Sequence, residues 1–298
     1  MRKHPVILGM FLLIVLTVVL YIFFYGIGAR TGKTKSFSLN DKIGVVSVNG
    51  VITDSREIIE QLEDFGKDDS IVAVVLRIDS PGGGVAASQE IYDAVVELKK
   101  HKKVVASMGS VAASGGLLVA CGADKIVANP GTITGSISAI MQFANVEELL
   151  KKIGLKSSAI KSGKYKDIGS PLREMTPEER KIIQDLVDDI YNQFVNVIVH
   201  DRKIPRERVI NIADGRVFSG RRAQEYGLVD YLGNMGSAAK LASHLAGKGG
   251  KYDLIYPPPK RSSIFDYVFE SAANQLTRSL KEKAENLGGV GYLYCPSL

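Results

Sequence analysis

Cysteine is scarce in this chain, with two in 298 residues. Cys121 sits in an apolar run and Cys295 lies near the C-terminus, too few for a disulfide framework and without the spacing of metal ligands. Histidine is nearly as scarce, with four residues, His4, His101, His200 and His244. None of them falls in a segment built like an active site, although triads occur in several chain orders and position alone leaves that open. The net charge is +6, but Lys and Arg are dispersed among acids. No basic stripe interleaved with aromatics marks a nucleic-acid surface. No metal, cofactor or nucleic-acid partner is therefore expected.

Apolar residues are plentiful at 45%, and they begin with an uncharged run of 22 residues, 6–27. As a helix this run crosses a hydrocarbon core about 30 Å thick. A cleaved leader is the rival, with Arg2 and Lys3 as its basic flank and Gly26-Ile27-Gly28 as its cleavage site. Leaders, however, carry apolar regions of roughly 7–15 residues. Residues 1–29 are accordingly read as a short cytoplasmic N-terminus and a transmembrane anchor. Arg2 and Lys3 before the run face Arg30, Lys33 and Lys35 after it, so charge does not orient the span. Residues 30–40 are polar and read as a linker, residues 41–256 as a globular domain, and residues 257–298 as a tail that opens on Pro257-Pro258-Pro259.

Within the globular part, β-branched runs alternate with helical patterns. The strand-like runs are 43–51, 71–78 and 104–108, and the helical ones are 58–65, 86–100 and the apolar stretch up to 121. Residues 125–128 and 136–143 are also strand-like. This alternation predicts an α/β fold with a buried, largely parallel sheet and flanking helices. Thr176, Pro177 and Glu179 form a capping box that starts a long helix. Its apolar positions Ile183, Leu186, Val187, Ile190, Tyr191, Phe194 and Ile198 read as a core-facing or subunit-facing stripe with no part in chemistry. Further helices are expected over 220–226 and 235–246.

Two segments stand at the carboxyl ends of predicted strands, where α/β proteins place ligand sites. Asp79-Ser80-Pro81-Gly82-Gly83-Gly84 can expose backbone N–H groups to a carbonyl or an anion. It lacks the Gly-x-x-x-x-Gly-Lys-Ser/Thr spacing of a phosphate loop, because no glycine stands five residues beyond any of its own. Gly109-Ser110-Val111-Ala112-Ala113-Ser114-Gly115-Gly116 is a strand-to-helix turn. Its small residues either open Ser114 to a substrate backbone beside free helix N–H groups, or simply let helix and sheet pack closely. A serine nucleophile needs a base, and the loop Ser162-Gly163-Lys164-Tyr165-Lys166-Asp167-Ile168-Gly169-Ser170-Pro171 could hold a lysine inward. By its residues alone, Lys166 is one choice among ordinary solvated lysines.

Those three segments, with Thr134-Gly135-Ser136 between them, resemble signal peptide peptidases of the SppA type over residues 42–236. The resemblance implies a ClpP/crotonase-like fold and a serine peptidase with a Ser/Lys dyad and no cofactor. Carried over by position, it makes Ser114 the nucleophile, Lys166 the general base and Ser136 the support of the lysine. Gly83 and Gly115 are the glycines we select for the oxyanion hole. Neutral Lys166 would take the Ser114 proton, and burial among apolar groups would favour that neutral form. No second copy of these motifs occurs, so the chain is similar to the short form of the family. That form is expected to assemble as a homo-oligomer with the dyad shared between neighbouring subunits. The resemblance also implies peptide substrates, signal peptides among them, and a domain on the extracytoplasmic side of the cell membrane. A crotonase-type acyl-CoA enzyme and an idle membrane scaffold remain as rivals from other classes.

Overall fold

The computed structural model describes residues 10, 12–21 and 40–258. The chain divides into two units, Met1–Leu254 and Ile255–Leu298, and the site belongs to the first. Residues 12–21 are helical. Among the described residues no helix is long and apolar enough to cross a membrane. Residues 6–9, 11 and 22–27 of the expected anchor lie outside the described residues, as do the linker through 39 and the tail from 259.

The sheet begins with β1 (Asp41–Asn49) and β2 (Ile71–Ser80), joined by helix α1 (Arg56–Lys67). Helix α2 (Val85–Lys99) then leads to β3 (Lys103–Ala113), and helix α3 (Gly115–Cys121) to β4 (Lys125–Ala128) and β5 (Ile133–Gly135). Strands β1, β2 and β3 pair in parallel, and β3 pairs in parallel with both β4 and β5. A parallel ladder needs crossover helices, and their packing covers both faces, which is why these strands are apolar almost throughout. Val74, Val75, Leu76, Val104, Val105 and Ala106 are fully buried.

The rest of the chain closes the domain. It contains α4 (Glu147–Lys152), α5 (Pro177–Arg202), α6 (Arg206–Ile210), β6 (Val217–Ser219), α7 (Gly220–Glu225), β7 (Tyr231–Leu232), α8 (Met235–Leu245) and β8 (Tyr252–Ile255). The strand order is β6-β5-β3-β2-β1-β8, with β4 bridging β3 to β7. Helix α8 lays Ala238, Ala239 and Ala242 on Ile43, Ala73, Val75, Val105 and Val127, where small side chains let helix and sheet approach closely. The capping box of α5 is present, with the Thr176 hydroxyl accepting from the Glu179 N–H and Glu179 from the Thr176 N–H.

One expected strand is absent. Residues 136–143 form no strand, and β5 stops at Gly135. Gly135 and Ser136 both take positive φ, 89° and 51°, which turns the chain out of the extended region. Strand β3 in turn runs five residues past the expected end at 108. Between Ile78↔Met108 and Ser80↔Ala112 the β2–β3 register shifts. Asp79 supports that irregularity: its Oδ1 accepts the Val111 N–H at 3.0 Å, and its carboxyl lies 2.7 Å from where a Cβ on Gly109 would sit. Beyond the irregularity, β3 exchanges β4 for β5 as its partner.

Candidate active site

The redirected end of β3 delivers Ser114 to the head of α3. Ser114 takes φ 52° and ψ −121°, and its hydroxyl makes no capping hydrogen bond. That backbone conformation is one that residues other than glycine rarely adopt, and such residues cluster at functional sites. It is held by the Ser114 N–H, which donates to the Gly135 carbonyl at 2.9 Å, and by the Ser114 carbonyl, which accepts the Leu118 N–H at 3.0 Å.

The glycine loop packs against this turn. Gly82, at φ 99°, lies so close that a Cβ on it would stand 2.7 Å from the Gly115 nitrogen and 2.8 Å from the Ser114 Cβ. Gly83 forms a parallel bridge with Ile52. The Ile52 N–H donates to the Gly82 carbonyl at 2.9 Å, and the Ile52 carbonyl accepts the Gly84 N–H at 2.8 Å. In such a bridge the backbone groups of Gly83 itself point the opposite way. Among the described residues the Gly83 N–H has no hydrogen-bond partner, and neither does the Gly115 N–H, which sits in the first turn of α3.

Both glycines line one cleft of about 50 Å³ with Ser114. Val85, Leu118, Ile190 and Phe194 give it an apolar wall, and Ser88 and Ser138 add hydroxyls. Three of the five expected site residues, Gly83, Ser114 and Gly115, are thus brought together. Two free N–H donors beside a free serine hydroxyl form an arrangement that can bind a carbonyl and stabilise the oxyanion formed on it. Ser136 adjoins Gly135, the acceptor of the Ser114 N–H, and its own N–H donates to Arg216 O at 2.8 Å. It does not line the cleft. The Ile190 and Phe194 contribution was missed in the sequence, where helical spacing assigned both to a packing stripe.

Lys166 is not brought to this cleft within a single chain. It is exposed, does not line the Ser114 cleft, and its side chain makes no hydrogen bond or ion pair among the described residues. What faces inward is Asp167. Arg173 grips it with Nη2 to Oδ1 at 2.9 Å and Nε to Oδ2 at 3.0 Å, and Lys161 pairs with it as well. Hydrogen bonds from Arg173, then Lys161, hold the Asp167 carboxyl well below the usual carboxylate range. Arg173 also bonds buried Glu179, at 2.8 Å and 2.5 Å. Arg173 and then the Thr176 N–H lower the Glu179 carboxyl to about 2. No histidine lies in the cleft, and His101 and His200 are exposed, beside Glu97 and Asp201.

Known proteins resemble this chain over the same region. The model of peptidase family S49 matches residues 96–248, and that of Clp protease matches residues 32–134. A Synechocystis sp. protein named "Putative protease slr0021" is 46% identical over 211 residues, covering 70% of this chain and 76% of the relative. An Enterococcus faecium protein named "Putative signal peptide peptidase SppA" is 37% identical over 225 residues, 70% of this chain and 65% of the relative. "Serine protease SPPA, chloroplastic" of Arabidopsis thaliana is 33% identical over 204 residues, 68% of this chain but 30% of that longer protein.

Proposed function

The chain belongs to peptidase family S49 and is a serine peptidase, and we propose that it cleaves peptides with Ser114 as nucleophile and Lys166 as general base. The observation that carries this reading is the convergence of a free, strained serine with the unpartnered N–H groups of Gly83 and Gly115 in one cleft. Neutral Lys166 takes the Ser114 proton, the oxygen attacks the scissile carbonyl, and the two N–H groups hold the oxyanion. The amine leaves with a proton, and water then resolves the acyl-enzyme. The apolar wall of Val85, Leu118, Ile190 and Phe194 favours a substrate with an apolar side chain at the cleaved bond. Signal peptides have that character, and the name of the Enterococcus relative supports them as substrates.

Lys166, exposed and without an ion pair among the described residues, is ready to be used by a second copy of the chain. Ile160 and Leu172, which flank its loop in sequence, and Ile182 and Leu186 in the first turns of α5 are all exposed, as are Ile140 and Ile153. Burying this apolar surface in a homo-oligomer would carry Lys166 to the Ser114 of a neighbour and remove water from around it. Ser136 would then support the lysine. The uncharged run 6–27 would anchor the protein to the membrane with its peptidase domain on the extracytoplasmic side. Protease treatment of intact cells tests that orientation, and a domain protected until lysis overturns it.

The dyad is tested by comparing Lys166→Ala with His101→Ala, His200→Ala and His244→Ala on a peptide carrying an apolar residue at the cleaved bond. Lys166→Ala should leave almost no turnover and the histidine variants most of it. An active Lys166→Ala beside an inactive histidine variant would replace the dyad with a triad.

A further inference from the structure

The segment 161–171, which carries Lys166, holds three lysines and its own carboxylate Asp167, and it meets Glu178 and Glu179 at the head of α5 through Lys164 and Arg173. Lys161 pairs with Asp167, Lys164 pairs with Glu178, and Arg173 takes both Asp167 and Glu179. Every one of those carboxylates is engaged, and Lys166 alone of the loop's lysines makes no ion pair among the described residues. The next residue in sequence, Asp167, is held by a two-pronged contact with Arg173 and by Lys161 rather than by Lys166.

The same contact fixes the loop in space. Arg173 joins Asp167 to Glu179, which is itself locked into the first turn of α5 by the capping box. A fork of guanidinium N–H donors satisfies two carboxylates at once, which an ammonium group does not do. The other side of the loop rests on the segment before α4. The Pro171 carbonyl accepts the Val146 N–H at 2.8 Å, and Gly169, at φ 76°, leaves room for the Phe143 ring, which would stand 2.4 Å from a Cβ there.

We infer that Arg173 is the positioning residue for Lys166: it clamps the lysine loop to the head of α5 and keeps Asp167 from pairing with the lysine amine. This rests on the reading of Lys166 as the base. Two effects follow from loss of the clamp. The loop loses its fixed placement, and Asp167, left with Lys161 as its one remaining ion-pair partner among the described residues, can turn to hold Lys166 in the charged form that cannot accept a proton.

The test uses the full-length protein and steady-state cleavage of an apolar fluorogenic peptide by Arg173→Met, Asp167→Asn and the double variant. Arg173→Met should lower kcat on the order of 10²-fold while KM changes less than about twofold, the pattern of a displaced base. Adding Asp167→Asn to Arg173→Met should recover about tenfold, because the released carboxylate is gone. A purely structural role predicts no recovery. Unchanged kcat in Arg173→Met, or a double variant no better than the single, overturns the inference. If Arg173→Met does not fold, Arg173→Lys must still lower kcat at near-constant KM, and wild-type kcat there overturns the inference equally. Lys166→Ala separates the two levels. A turning-over Lys166→Ala removes the base and the inference together, whereas an inactive Lys166→Ala beside a fully active Arg173→Met removes the inference alone.

Discussion

The backbone N–H of Ser114 donates to the carbonyl of Gly135 at 2.9 Å, so the serine at the head of α3 is fastened to the neighbouring strand while its hydroxyl makes no capping hydrogen bond. That fastening holds Ser114 at φ 52° and ψ −121°, a conformation that costs a side-chain-bearing residue about 1–3 kcal/mol. Ser114→Ala keeps the strain and Ser114→Gly relieves it. Both should lose peptidase activity, and Ser114→Gly should melt several degrees above Ser114→Ala, by about 1 kcal/mol after the entropy of glycine is counted. Equal melting temperatures would show that the backbone at this position carries no strain.

The parallel sheet was legible because β-branched runs and helical periodicity alternate from residue 43 to residue 128, and the start of α5 because Thr176, Pro177 and Glu179 state it locally. The strand expected over 136–143 failed because positive φ at Gly135 and Ser136 is imposed by the packing of Phe218 and Arg216 against them, a tertiary effect with no local signature. Small residues at strand ends marked the segments of Ser114 and the two glycines, but their roles were assigned only by the family resemblance. Ile190 and Phe194 were not legible, because cleft-lining and core positions share one helical spacing. The Arg173 clamp joins residues six apart through side chains in a loop, a pattern that no periodicity marks.

A methyl group on Gly83 would stand 2.2 Å from the Ile52 carbonyl oxygen and 2.6 Å from its nitrogen. These are backbone atoms on a paired bridge and have little room to yield. Gly83→Ala should cost about 1–3 kcal/mol of stability. It should also cost on the order of 10²–10³-fold in kcat if the displaced N–H serves the oxyanion. Thermal melting and kcat measured on one preparation check both. A variant with lowered stability but wild-type kcat would remove Gly83 from the oxyanion hole.

Acid should weaken the fold through Glu179. Its carboxyl is lowered from 4.5 to about 2, chiefly by Arg173 and then by the Thr176 N–H. A carboxylate depressed in the folded state binds fewer protons there than in the unfolded chain. Its contribution is therefore complete above about 4.5 and disappears as the pH falls through about 2. Glu179→Gln should be less stable than wild type at neutral pH, and the gap should close between those limits. Denaturant midpoints measured from pH 6 down to pH 2 give the comparison, and a gap of constant size would show that the ionised carboxylate is not what stabilises the wild type.

Among the described residues the thiol to weigh against Ser114 is Cys121, at the far end of the same helix. Cys121 is fully buried, and that burial raises its thiol to about 12, with Arg202 opposing the shift. At pH 8 roughly one thiol in ten thousand is ionised at that value, and thiolate is the reactive form. The native protein should therefore keep full peptidase activity after iodoacetamide. The peptide containing Cys121 should be recovered unmodified unless the protein is first unfolded. A serine-reactive phosphonate should abolish activity and leave its adduct on Ser114. Inactivation by iodoacetamide with alkylation at Cys121 in the folded state would contradict both the buried thiol and the serine chemistry.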